Sequence, residues 1–532
     1  MSARMRAAEL TAWEAHRTIT GPLLARAESD PDGVFVRFDG SAITNGEAWR
    51  RCGELAGGLA SLGVGKGSHV AIMLANSPAF LLTWFALARL GAVEVPVNTA
   101  FVGTILRHVL TDSDADVLVI GGETEIDALL ALEELPERLT TIVAVNASPE
   151  SLSRLRGLGR RVAQFDDLGG DCPATEVDTH DTAAIMYTSG TTGASKGVVL
   201  SHRYFLLVGI ANAANMRLGP ADRYLTCLPL FHGMAQLSGT MAPLISGAEI
   251  VLVRRFSVSA FWNTCRENGV TAFGAIAAMM SMLSSVPPAP ESDRDHAVRY
   301  AFAVATPASL HDAFEARFGV RLVNGYGLTE ASMLTYCPYD DRRPGSSGVP
   351  LPIFEVEIHD ADDQPLPAGT VGEIVCRPRT PGATMTGYYK RPEATLEAWR
   401  NLWLHTGDLG RFDDDGFLWF VDRQKDAIRR RGENISSFEL ETEIAAHPEV
   451  EEVAAYPVPS PLGEDDVMIA VVRGESSLTA EDLHAFCRGR LPAFATPRHI
   501  RFMGSLPHTP TNKVRKPELR EQGVTADTWT AP

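Results

Sequence analysis

The stretch YTSGTTGASKGVVLSH, from Tyr187 to His202, sets glycines, hydroxyls and one lysine between two apolar runs. Gly190, Gly193 and Gly197 allow positive φ and let a ligand come close to the backbone. Successive N–H groups in such turns form a concave nest for phosphate oxygens. Thr188, Ser189, Thr191, Thr192 and Ser195 add hydroxyl donors, and Lys196 adds a positive charge. The chemistry this suits is the holding of an anion. A loop that only turns the chain would have a similar composition. The spacing also differs from the phosphate loop G-x-x-x-x-G-K-[ST], because Ser195 precedes Lys196 and Gly197 follows it. The rest of the chain must therefore supply the context.

Five further stretches do so. LPLFHGMAQ holds His232, and NGYGLTEAS holds Tyr326, Thr329 and Glu330. WLHTGDLG holds Asp408, FVDRQKDAIRRRGENIS holds Arg423, Lys425 and Gly432, and LPHTPTNKVRK holds Lys513. Singly, each has a plain reading: a first-turn helix carboxylate for Glu330, a core tyrosine for Tyr326, an ordinary turn for Asp408, a satisfied core histidine for His232, and a solvated surface charge for Lys513. Together and in this order, over nearly the whole chain, they resemble the adenylate-forming superfamily of acyl- and aryl-CoA ligases, peptide-synthetase adenylation domains and luciferases.

The resemblance implies a chemistry that explains the parts. A carboxylate resists nucleophiles until it is joined to AMP as a mixed anhydride. Two anions, the acid and the α-phosphate of ATP, must be brought together, so positioning and electrostatic stabilisation dominate. By resemblance, Thr188, Ser189, Gly190, Thr191, Thr192, Gly193 and Lys196 hold the β- and γ-phosphates. Glu330 holds Mg2+, a hard cation suited to carboxylate and phosphate oxygens. Thr329 donates to the α-phosphate, Tyr326 stacks on adenine, and Asp408 and Arg423 take the ribose. Lys513 bridges the acid and the α-phosphate, and His232 lies beside the acyl pocket. Lys425 marks a hinge about which a C-terminal domain alternates between presenting Lys513 for adenylation and presenting Gly432 for thioester formation. Arg429, Arg430 and Arg431 would assist an anionic CoA.

Two positions depart from the family's usual pattern. Val304-Ala305-Thr306-Pro307 stands where relatives often have Gly-Gly-Ala-Pro, which narrows the space beside the acyl pocket and disfavours a long-chain fatty acid. Asn512 stands before Lys513 where Gly is common, and Asn tolerates left-handed geometry. The wording LPLFHGMAQ, TGYYKRPEAT and TPTNKVRK is similar to that of carnitine-CoA ligase-like enzymes for small polar or aryl acids. The expected reaction is ATP-dependent adenylation of a small or aryl acid followed by transfer to CoA. Alternatives keep the adenylation and change its partners: a carrier protein or amine as acceptor, or nitrite in place of the acid, with diazotisation of an aryl amine. A non-catalytic nucleotide-binding regulator is disfavoured by the joint presence of Lys513, Glu330 and Asp408.

The elements that must position these residues follow from periodicity. VFVRF and SHVAIML read as strands around the helical NGEAWRRCGELAGGLASLG. Asn76-Ser77-Pro78 starts a helix, and VEVPVN and DVLVIGG are further strands. This rhythm predicts βαβ units with mostly parallel sheets to about Gly345. From about Gly348 to Val421, short strands separated by Gly, Pro and Asp predict a small antiparallel β unit. The remainder alternates helix and strand. The expected fold is α/β: a large N-terminal domain, residues 1–422, of two parallel-type subdomains plus the antiparallel unit, then a small mobile α+β domain, residues 423–532.

Composition bounds the class. The chain has 532 residues, too many for one core, and ordinary proportions of apolar and charged residues. Its net charge of −18 argues against nucleic-acid and anionic-membrane partners. The cysteines lie apart with no C-x-x-C pair, which suits a reducing cytoplasm. The longest apolar stretch, Phe80 to Val97, is broken by Arg89, Glu94 and Pro96 and reads as a buried helix and strand rather than a membrane span. The partner expected is a small-molecule acid, and a homodimer is allowed without being required.

Overall fold

The computed structural model describes residues 16–188, 195–304, 306, 308–423, 428–430, 433–435, 437–460, 465–488, 490–491, 495–509 and 513–531. They form two compact units. One holds the chain up to Val356 together with Cys376–Leu404, and the other holds Glu357–Val375 and His405 onward.

The first unit contains, among the described residues, an eight-stranded and a seven-stranded sheet. The eight-stranded sheet runs in the order Gly387–Tyr388, Lys196–Ser201, Thr182–Thr188, Val93–Pro96, His69–Met73, Val117–Gly121, Thr141–Val145 and Arg161–Gln164. Its strands from Thr182 onward in that order are parallel, whereas Thr182–Thr188 and Lys196–Ser201 pair antiparallel. The parallel strands read as continuous apolar runs because both faces are covered. On one face Ala71, Val95, Leu118, Ile120 and Ile142 share a core with the helices between the strands. The helix Pro78–Leu90 is apolar all round and buried over nearly its whole length. Ser77 caps it by accepting from the Phe80 N–H, and Gly91 ends it at φ +66°. No helix among the described residues is long and apolar enough to cross a membrane.

The seven-stranded sheet is likewise parallel except for its edge hairpin, Val34–Phe38 with Ser41–Thr44. After it the chain departs from the expected rhythm. Gly325–Leu328, Ala331–Tyr336 and Val349–Pro350 form a separate antiparallel sheet, so an all-antiparallel sheet begins at Gly325, ahead of the expected Gly348. The cause is local: Thr329-Glu330 is a two-residue connection, too short for any parallel crossover.

In the second unit, Leu404–Phe412 and Leu418–Arg423 pair antiparallel within a four-stranded sheet. They pack with residues beyond 423: the Phe420 and Phe438 rings lie 6.4 Å apart, and the Asp422 carboxylate accepts from the Ser437 N–H at 2.5 Å. The compact unit thus begins ahead of residue 423. Further on, Glu452–Pro459, Asp465–Val472, His499–Phe502 and Trp529–Thr530 make a sheet with a core on each face. Val467, Ile469 and Val471 enter one core, and Met468, Ala470 and Val472 the other, which is why that segment is apolar without alternation.

Candidate active site

The glycine- and hydroxyl-rich loop joins two antiparallel strands. Thr188 ends one and pairs with Lys196, which begins the other. Thr188 is half-buried and Lys196 is exposed. Ser189, Gly190, Thr191, Thr192 and Gly193 lie outside the described residues. The following helix begins only at His202, so this loop differs in setting as well as spacing from a strand-to-helix phosphate loop.

Thr329 and Glu330 form the turn of the next hairpin, between the paired Leu328 and Ala331. Glu330 is therefore not a first-turn helix carboxylate. Gly327 makes this hairpin possible: a Cβ there would meet the Met333 nitrogen at 2.3 Å. Tyr326, in the same strand, is buried at 8% exposure. Four hydrogen bonds hold the turn. The fully buried Tyr204 hydroxyl donates to the Thr329 carbonyl at 2.9 Å and accepts from the Ser332 N–H at 3.0 Å. The Met385 N–H donates to the Glu330 carbonyl at 2.7 Å. Finally, the Tyr388 hydroxyl donates to Glu330 Oε1 at 2.7 Å.

Tyr388 also meets the first loop. Lys196 Nζ lies 4.8 Å from the centre of its ring, within range of a cation–π contact. Burial, and after it the nearby Glu330 charge, push the Tyr388 phenol up from its ordinary value, so the neutral O–H is the donor. The structure thus brings Lys196 and Glu330 to a tyrosine that sequence reasoning did not single out. Tyr388 stands in the quoted TGYYKRPEAT, but its contact with Glu330 spans 58 residues, and only the fold brings them together. Tyr204 was missed for the same reason.

The donor set fits a magnesium ion. Glu330 would supply one carboxylate; no cluster of three or more His, Cys, Asp or Glu side chains occurs among the described residues. Mg2+ is typically held in this way, by one or two carboxylates with phosphate oxygens and water completing the shell.

His232 is half-buried and sits at the start of the short helix Gly233–Gln236, 4.7 Å ring to ring from Phe231. Behind it Gln236 is fully buried and donates to Glu94 Oε1 at 2.9 Å and to the Leu230 carbonyl at 2.9 Å. Glu94 is itself fully buried, and burial raises its carboxyl well above the usual range. Thr306 is buried with its hydroxyl donating to the Ala303 carbonyl; Ala305 and Pro307 lie outside the described residues.

In the second unit, Asp408 is 9% exposed and lies in a strand rather than an isolated turn. Its N–H donates to Thr406 Oγ1 at 3.1 Å, and the Thr406 hydroxyl donates to the Ile374 carbonyl. Gly407 takes φ +71° and donates to Glu373 Oε1 at 3.0 Å. The register sets Asp408 opposite Arg423, so the two residues assigned to the ribose are cross-strand neighbours. Lys425 and Gly432 lie outside the described residues; Arg430 and Glu433, which flank Arg431 and Gly432, are paired. Lys513 is exposed and hydrogen-bonded to Thr509: the Thr509 N–H donates to the Lys513 carbonyl at 2.7 Å, and the Lys513 N–H donates to Thr509 Oγ1 at 3.1 Å.

Comparison with known proteins covers both modules. Residues 23–389 match the family described as AMP-binding enzyme, and residues 439–513 match the AMP-binding enzyme C-terminal domain. A crotonobetaine/carnitine–CoA ligase of Citrobacter koseri is 34% identical over 521 residues, 96% of this chain and 98% of that protein. Among solved structures, ATP-bound MatB from Rhodopseudomonas palustris has TM-score 0.82 at 25% identity, covering 95% of this chain and 99% of that one. The o-succinylbenzoate CoA synthetase MenE of Bacillus subtilis, in complex with its acyl-adenylate intermediate, has TM-score 0.81 at 26% identity, covering 94% and 97%.

Proposed function

The chain belongs to the AMP-binding enzyme family, and from that membership we infer that it is an ATP-dependent, AMP-forming acid-CoA ligase whose substrate is a small or aryl carboxylic acid. The observation that carries the site assignment is the meeting at Tyr388 of a carboxylate suited to a metal and a lysine suited to phosphate.

In the proposed mechanism, a carboxylate oxygen of the acid attacks the α-phosphorus of ATP, and the bond to pyrophosphate breaks. Lys196 and the 188–193 loop hold the departing β- and γ-phosphates. Thr329 donates to the α-phosphate, and Lys513 neutralises charge that builds on it as the two anions meet. Glu330 would hold Mg2+, whose contribution is to neutralise the phosphate oxygens. Tyr326 packs on adenine, and Asp408 accepts from the ribose hydroxyls beside Arg423. In the second step the CoA thiol attacks the carbonyl carbon and AMP leaves. For this step we propose that residues 423–532 turn about Lys425 and bring Gly432 to the thiol's path, with His232 at the junction of acid and thiol. The narrowing by Val304 and Thr306 supports a compact acid, and free cysteines throughout suit a reducing cytoplasm.

The test is a screen of small polar and aryl acids for pyrophosphate release, with and without CoA, using wild type and Lys513→Ala. We expect an acid that yields AMP and a CoA thioester with wild type. Lys513→Ala should bind ATP yet lose adenylation by about a thousandfold, the scale for removing a group that stabilises transition-state charge. Pyrophosphate exchange at the wild-type rate in the variant would remove Lys513 from the mechanism. Turnover with nitrite and an aryl amine, and with no acid, would replace the CoA-ligase reading.

A further inference from the structure

We propose that Tyr388 is a positioning residue for adenylation: through one side chain it holds the Glu330 carboxylate and the Lys196 ammonium in the arrangement that metal-bound ATP meets. The proposal rests on the roles given above to Glu330 and Lys196.

The sheet register explains how one ring reaches both groups. Tyr388 pairs with Val198 across the edge of the eight-stranded sheet, and Lys196 lies two residues along the same strand from Val198. Residues two apart on a strand share a face, and a diagonal cross-strand neighbour is within reach of a long side chain. Lys196 thus comes over the Tyr388 ring, 4.8 Å from its centre. The far end of the ring carries the hydroxyl, 2.7 Å from Glu330 Oε1. Glu330 arrives from a separate element, the 325–336 hairpin, whose backbone is tied to the same segment through Met385.

The arrangement has a chemical logic. Lys196 and Glu330 carry opposite charges, and an ion pair between them would have to break before either could serve phosphate or metal. Among the described residues no direct ion pair joins them; the tyrosine stands between. Its O–H engages only one carboxylate oxygen and leaves Oε2 outside that bond. A hydroxyl donating to a carboxylate pushes electron density into the ring, and a richer ring attracts a cation more strongly. Each contact therefore reinforces the other, and both charges stay available to a ligand.

The experiment separates ring from hydroxyl. Tyr388→Phe keeps the face beneath Lys196 and removes the bond to Glu330, while Tyr388→Leu removes both. ATP binding is measured by calorimetry with Mg2+ and with EDTA, Mn2+·ATP binding by electron paramagnetic resonance, and melting by calorimetry. We expect Tyr388→Phe to weaken Mg2+·ATP about tenfold, the scale of a hydrogen bond to a charged group, with metal-free ATP binding and melting unchanged. Tyr388→Leu should weaken binding with and without metal. Glu330→Gln is the arm that tests the underlying reading and should abolish the benefit of Mg2+. Wild-type Mg2+·ATP affinity in Tyr388→Phe, beside a loss in Glu330→Gln, would overturn the role of Tyr388 alone. Equal weakening of metal-bound and metal-free ATP by Tyr388→Phe would also overturn it, since only general structure would then be at stake. A full Mg2+ benefit in Glu330→Gln would overturn the metal assignment and this inference with it.

Discussion

Glu94 sits in an environment far from what a carboxylate prefers. It sits at zero exposure in a parallel strand, bonded through one oxygen to Gln236; its Oε2 and the Gln236 Oε1 have no hydrogen-bond partner. Burial raises its carboxyl well above the ordinary value. The folded chain then keeps a proton that the unfolded chain gives up once pH passes the ordinary carboxylate range, so this group lowers stability as pH rises. Glu94→Gln removes the titration and offers an amide N–H to the unpartnered Gln236 oxygen. The expected outcome is a variant that gains melting temperature over wild type at about pH 8 and gains less or nothing at about pH 5. Melting curves across that range check it; parallel pH profiles would show that Glu94 does not titrate differently on folding.

Elements, more than single residues, decide which candidates meet. The antiparallel pairing of 404–412 with 418–423 makes Asp408 and Arg423 neighbours. Asp408→Ala should therefore weaken ATP by roughly 3 kcal/mol, two charge-assisted hydrogen bonds to ribose being lost, without unfolding a strand that Thr406 and Gly407 anchor independently. Calorimetric titration with ATP reads this directly, and an unchanged dissociation constant would leave Asp408 as a strand residue only. Elements also mark how far the sequence could be read. The strands at 34–38 and 69–73 and the helix begun by Ser77 were legible because their period and caps are local. The hairpin at 325–336 was not: its strands are short and glycine-bearing, and YGLTE alone gives no pairing partner. Thr329 and Glu330 were found by resemblance. Tyr388 and Tyr204 needed contacts 58 and 125 residues away along the chain, which no local pattern records.

At the scale of the whole molecule, the question is whether two half-reactions use one arrangement or two. The C-terminal sheet carries a core on each face, which supports the proposal that residues beyond the hinge move as a body, although Asp422 is bonded to Ser437 across it. Lys425→Pro fixes φ and removes an N–H at the hinge. We expect near-normal pyrophosphate release in a single turnover, accumulation of bound acyl-adenylate and little thioester. Rapid-quench analysis distinguishes the two steps. Equal loss of both, in a folded variant, would argue for a single fixed pose.

The short segment that bears Tyr388 has a second consequence, for solubility. The strand Lys196–Ser201 would otherwise end the eight-stranded sheet with open backbone groups, a template on which another chain could add. Gly387–Tyr388 covers it: the Thr386 N–H donates to the Val199 carbonyl and the Tyr389 N–H to the Gly197 carbonyl. The covering strand is two residues long, and the chain then turns away through Lys390 and Arg391, which are tied to Asp114 and Asp112. A segment so brief and so charged offers little for a neighbour to extend. The same few residues that we propose orient two charges for a nucleotide thus leave little of this sheet edge for a neighbouring copy to extend.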